Sequence, residues 1–175
     1  MSLDHRLILI ADRIDRLTAA VGHAAAWCTL LMVFPELLVV LLRYGLAAGS
    51  IGLQESIVYA HAALFMLAAG WTLQQDGHVR VDIFYAGATP RVKALIDLVG
   101  AVIFLLPFSL ALAWLSLPYV ARSWASLEGS RETSGLPLVF VLKTLIPAFA
   151  LLLTLQGIAQ AIRAWLTLSR SRSEA

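Results

Sequence analysis

Four apolar stretches, each long enough to cross a bilayer, decide what this chain can fold into. A transmembrane helix takes ~20 mostly apolar residues. Residues 56–74, 98–121 and 144–162 carry no charged side chain at all. The first stretch runs from about 17–42, and Glu36 is the only charge within it. Lipid offers the backbone no hydrogen bonds, so these stretches must be helices. Barrel strands would place polar residues at every second position, and none of the stretches does so. With their flanking turns, the third and fourth helices are expected over about 92–121 and 137–165. Sixty per cent of the chain is apolar and 14% charged, against ~45–50% and ~25% in soluble domains. The expected fold class is therefore an all-α membrane protein, one membrane domain over 1–175, with four transmembrane helices.

Residues 3–17 are too polar to span. Leu3, Leu7, Ile10, Ile14 and Leu17 form one apolar helical stripe, and Asp4, Arg6, Asp12, Arg13, Asp15 and Arg16 cover the rest. This spacing predicts an N-terminal amphipathic helix lying in the membrane interface before the first span; a soluble extension of that span is the alternative. The charges at 12–16 precede a very long apolar run, which points to a retained anchor rather than a cleavable signal. Thr89-Pro90 and Gly135-Leu136-Pro137 read as helix starts, and Pro35, Pro107, Pro118 and Pro147 predict kinks inside spans.

Orientation follows from Lys and Arg. Arg6, Arg13, Arg16, Arg80, Arg91, Lys93, Arg163, Arg170 and Arg172 fall on one side, and Arg43, Arg122, Arg131 and Lys143 on the other. The bias places both termini and the loop near 75–93 in the cytoplasm. A net charge of +2, with no basic stripe, implies no nucleic-acid partner. Cys28 is alone in an apolar run, so it reads as a small hydrophobe without disulfide or metal.

Glu36 is the conspicuous residue, since a charge in a span costs about 2.5–3.5 kcal/mol on insertion scales. It pairs with Arg43 seven residues on, meets a polar group of another subunit, or couples protons. His23 sits near the inner start of the first span and His61 near the outer start of the second, so they cannot share a haem iron; contacts between helices are expected. No phosphate loop, H-E-x-x-H or paired-cysteine motif is present. An enzyme and a cofactor are accordingly not expected. In Gln75-Asp76-Gly77-His78-Val79-Arg80-Val81-Asp82-Ile83, polar and apolar residues alternate from His78 onward, which sets the apolar ones against membrane or protein. The chain shows no internal repeat of the kind that builds a midplane transport site, so it looks like an accessory subunit.

One family shares this set of motifs. Arg43-Tyr44, Leu53-Gln54-Glu55, Trp71, Asp76-Gly77-His78-Val79-Arg80-Val81-Asp82, Gly135-Leu136-Pro137, Lys143, Ile146-Pro147 and Leu155-Gln156-Gly157 resemble the small membrane subunit of tripartite ATP-independent periplasmic (TRAP) transporters. The family often has an acidic pair at the start of the second span, whereas here Gln54-Glu55 supplies one acid. The resemblance covers roughly 15–165. It implies a bacterial inner-membrane complex with a large multi-span membrane subunit that carries substrate and sodium, and a periplasmic substrate-binding protein that captures an organic acid. The small subunit would brace the large one. A self-sufficient proton-coupled exporter centred on Glu36 and a membrane anchor of a redox complex are the other two readings. Candidate partner contacts are Glu36 within the span, Arg43 and Glu55 at the outer end, and Arg80 and Asp82 at the inner end.

Overall fold

The computed structural model describes residues 3–79 and 85–173. Six α-helices follow one another: α1 Leu3–Ala26, α2 Cys28–Gly45, α3 Ile51–Gln74, α4 Pro90–Val99, α5 Leu106–Ala125 and α6 Val139–Ser173. A π-helical segment, Gly100–Leu105, joins α4 to α5. No strand occurs among the described residues. Four helical runs are long and apolar enough to cross a membrane: Leu3–Gly45, Ile51–Gln74, Pro90–Ala125 and Val139–Arg170. An even number of crossings returns both chain ends to one side.

The first run departs from the expected layout. Residues 3–17 are not a separate element, because α1 continues unbroken to Ala26. The only break in the run falls at Trp27, from which α2 departs. The helix persists through residue 17 because its buried stripe persists. Ala11, Thr18, Gly22 and Ala25 all lie against other helices, chiefly α3 and α6.

Small residues make that packing possible. Apolar helices gain no hydrophobic drive from one another in lipid, so close backbone approach and hydrogen bonds decide which associate. A Cβ on Gly22 would lie 2.6 Å from Trp71 Cβ, so Trp71 packs directly on the α1 backbone. The His23 ring tilts over the same indole at 4.6 Å between centroids. Gly70 meets both the Leu152 carbonyl and the Thr18 methyl group, bringing α1, α3 and α6 to one point. Ala150 and Ala159 on α6 are fully buried.

Local signals explain several boundaries. Thr89 accepts a hydrogen bond from the Val92 amide, with Pro90 in the first turn, as its residue types require. The other expected start is different: α6 begins at Val139, after Pro137, and the Leu136 amide donates to Glu55. Pro107 has no N–H to give and crowds the preceding turn. The wider π turn lies immediately before it, and Leu106 N donates to Ala101 O, five residues back. At the C-terminus of α3, Asp76 takes φ 54° and Gly77 N donates to Thr72 O at 2.9 Å. Any side chain at Gly77 would press on Thr72, at 3.0 Å for its Cβ. The Asp-Gly pair is thus a helix stop.

Candidate functional site

Polar side chains gather at the two ends of the bundle. At the end that holds the termini, Arg163 on α6 forms ion pairs with Asp12, at 3.1 Å, and with Asp15. Gln156 lies two turns earlier on the same face of α6 and is almost fully buried. Its Nε2 donates to Asp15 Oδ1 at 3.0 Å. Thr18 Oγ1 donates to Gln156 Oε1 at 2.9 Å. The charged part of α1 is therefore tied to α6 by a continuous chain of hydrogen bonds. A polar cavity of about 380 Å³ opens beside it, with Gln74, Lys93, Asp97, Gln156 and Arg163 in its wall.

At the opposite end the segment between α5 and α6 folds back on α3. Glu55 accepts from the Ser130 hydroxyl and, at 2.6 Å, from the Leu136 amide. Gly135 allows this, since a Cβ there would lie 2.7 Å from Glu55 Oε1. Glu128 accepts from Lys143 Nζ and from Ser123 Oγ. Those two donors, Lys143 first, hold the Glu128 carboxyl below the usual carboxylate range. Lys143 also stands 4.0 Å over the Tyr119 ring. Trp124 Nε1 donates to Thr144 Oγ1 at 2.9 Å. Between these two ends a Thr154–Ser109 bond joins α6 to α5 inside the bundle.

The expected site residues divide accordingly. Glu55 is held inside the chain. Arg80 and Asp82 lie outside the described residues. Glu36 and Arg43 are both exposed on α2, and the pairing between them does not form: neither side chain has a hydrogen bond or ion pair among the described residues. His61 is deeper than expected. α3 begins at Ile51, which puts His61 ten residues into the helix, and its side chain is exposed. His23 belongs to the α1–α3 contact. Sequence reasoning missed Gln156 and Thr18 as partners of Asp15. The available signal was Gln156, one of two glutamines within an uncharged span, where a polar side chain needs a partner. Among the described residues no three His, Cys, Asp or Glu side chains are grouped to hold a metal. The arrangement locks helices together.

The family model for the DctQ component of tripartite ATP-independent periplasmic transporters matches residues 30–167. No curated protein and no solved structure gives a match.

Proposed function

This chain belongs to the DctQ component family of the tripartite ATP-independent periplasmic transporters, and from that premise we propose that it is the bracing subunit of a sodium-coupled system for organic-acid uptake. It is a small permease component of a transporter and not an enzyme. Its four apolar helical runs make it a multi-pass inner-membrane protein. The family assembles with a large membrane subunit and a substrate-binding protein.

One observation supports a bracing role above the others. The polar side chains of the bundle are spent on joining helix to helix at its two ends, while α2 has no buried residue at all. A bundle closed in this way suits a rigid support, with α2 left to meet another chain. The self-sufficient exporter and the redox anchor are less well supported. The first would need a polar path beside Glu36, which stands on the outer surface of α2. The second would need free axial ligands, and His23 already packs on Trp71.

In this reading both termini are cytoplasmic, residues 3–17 rest at the cytoplasmic interface, and the Glu55–Ser130 end faces the periplasmic binding protein. Arg43 at the outer end, with Arg80 and Asp82 at the inner end, helps to fix docking, while Glu55 is held inside the chain. Proteoliposomes test the function directly. Sodium-driven uptake of a labelled organic acid is expected only when this chain, the large subunit and the binding protein are all present. Transport by this chain alone would overturn the proposal. Impermeant thiol labelling at Ser130, but not at Ser2 or Ser173, is expected in a Cys28→Ser background; the reverse pattern would invert the topology.

A further inference from the structure

Two helices present unanswered polar groups at one depth in the membrane. Cys28, Met32, Pro35, Val39 and Leu42 are the half-buried stripe of α2, and the positions between them are exposed. On one flank Thr29, Glu36 and Arg43 follow one another at seven-residue intervals and stack along one side of the helix. On α3 the exposed residues Ile51, Gln54, Val58, His61 and Phe65 step by three and four, which makes a second stripe. Val39, Arg43 and Gln54 line one groove beside the turn between the helices. The flank bearing Glu36 and the stripe bearing His61 therefore belong to the same side of the α2–α3 pair.

The depths match as well. Glu36 lies nine residues before Gly45, where α2 ends, and His61 lies ten residues after Ile51, where α3 begins. At 1.5 Å per residue these are about 13 Å and about 15 Å below the turn, near the middle of a hydrocarbon layer ~30 Å thick. Neither side chain has a hydrogen bond or ion pair among the described residues. Lipid tails can answer neither. Ionisable side chains at this depth face protein or a water-filled cavity.

We propose that this α2–α3 face is the docking surface for a transmembrane helix of the large subunit, which presents a hydrogen-bond donor, cationic or amide, to Glu36 at mid-depth. The inference rests on the reading of the chain as a transporter component, and it adds the face and the chemistry. Charge complementarity favours a different chain over a second copy. Two copies inserted in the same direction share one set of depths, and the nearest described cation on α2, Arg43, lies two turns away. A second copy then offers Glu36 no Lys or Arg at this depth among the described residues, only ring N–H donors such as His61 and Trp114. The flanking side chains suit a helix partner, since Val33, Val40, Val58 and Phe65 are all exposed beside the polar pair.

Photocrosslinking in the intact transporter tests this. A benzophenone amino acid replaces Val40, Val58 or, as a control on the far side of the bundle, Trp114 of α5, which is 76% exposed. Retention of the large subunit by tagged Glu36→Gln chain is measured in parallel. The expected result is an adduct with the large subunit from positions 40 and 58 and none from 114. Glu36→Gln should lower retention roughly fivefold or more, with the melting temperature of the isolated chain unchanged. Adducts between two copies of this chain at 40 and 58 would replace the proposal with self-association. Adducts with the large subunit from 114 alone, or with lipid alone from 40 and 58, would overturn it while leaving the component role intact. Failure of the unsubstituted chain to co-purify with the large subunit would overturn the component role itself.

Discussion

α1 and α2 are consecutive parts of one 43-residue helical run, yet the bundle treats them in opposite ways. α1 buries Ala11, Thr18, Gly22 and Ala25. α2 has no fully buried residue, only a half-buried stripe against α3, and Leu31, Phe34, Leu37 and Leu41 are all more than half exposed. α2 is the more hydrophobic of the two. Hydrophobicity therefore does not decide which helix enters the bundle, because lipid is as apolar as leucine. Small side chains and paired polar groups decide it. α1 has both, whereas α2 has bulky side chains and one carboxylate without a partner among the described residues.

The contrast can be broken most severely at Gly22. Gly22→Leu drives a branched side chain into Trp71, whose Cβ would lie 2.6 Å from even the first added carbon. Overpacking of this kind costs about 1–3 kcal/mol or more, and the melting temperature of the detergent-solubilised chain should fall by several degrees. Gly45 on α2 has no atom within 4 Å of an added Cβ, so Gly45→Ala should leave that temperature in place. A comparable fall at both positions would erase the distinction between the helices.

The polar half of the contrast is tested at Gln156. Gln156→Leu removes the acceptor on α6 for Thr18 Oγ1 and a donor from Asp15; Thr18 keeps the Ile14 carbonyl, so the loss is that of the hydrogen bonds between helices, about 0.5–1.5 kcal/mol each. Thr29 on α2 is exposed, so Thr29→Val should be neutral. Melting curves of the two variants give the comparison. If Gln156→Leu melts like the unsubstituted chain, the hydrogen-bond chain from α1 to α6 contributes nothing.

Much of this was legible in the sequence. The four spans followed from uncharged length, the α4 start from Thr89-Pro90, and the family from the Arg43-Tyr44, Trp71 and Asp76-Gly77-His78 motifs. The rest was hidden for physical reasons. Hydropathy reports that a residue avoids water and is silent on which neighbour replaces it. Thus α1 looked like a polar surface helix followed by a span, although the same small-residue stripe runs through Thr18 to Ala25. The bond from Asp15 to Gln156 joins positions 141 apart, beyond any local pattern. Gly135-Leu136-Pro137 resembled a helix start, but its glycine clears space for Glu55 and its Leu136 amide is consumed there. Glu36 was identified as unusual from sequence; that Arg43 leaves it unanswered needed the structure.

A smaller effect concerns the end of the bundle where Glu128 sits. Hydrogen bonds from Lys143 and Ser123 depress its folded-state pKa. A depressed carboxylate stabilises the fold above its unfolded pKa, and that contribution is lost as pH falls through the lower folded value. The segment 126–138 should resist protease at neutral pH and become cleavable in acid below the usual carboxylate range. Glu128→Gln should flatten this pH dependence, while cleavage near Trp27 should show no matching step. Leu127 holds φ 44°, which a branched residue adopts only with strain. Leu127→Gly should raise the melting temperature slightly, by the equivalent of about 1 kcal/mol.

In the proposed division of labour, α1 holds the bundle together and α2 holds the partner. This division is tested most directly by two readouts on two variants, the melting temperature of the isolated chain and its retention of the large subunit. Gly22→Leu should lower the first. Glu36→Gln should leave the first unchanged and lower the second. A Glu36→Gln chain that melts as early as Gly22→Leu, or that retains the large subunit in full, would contradict the account.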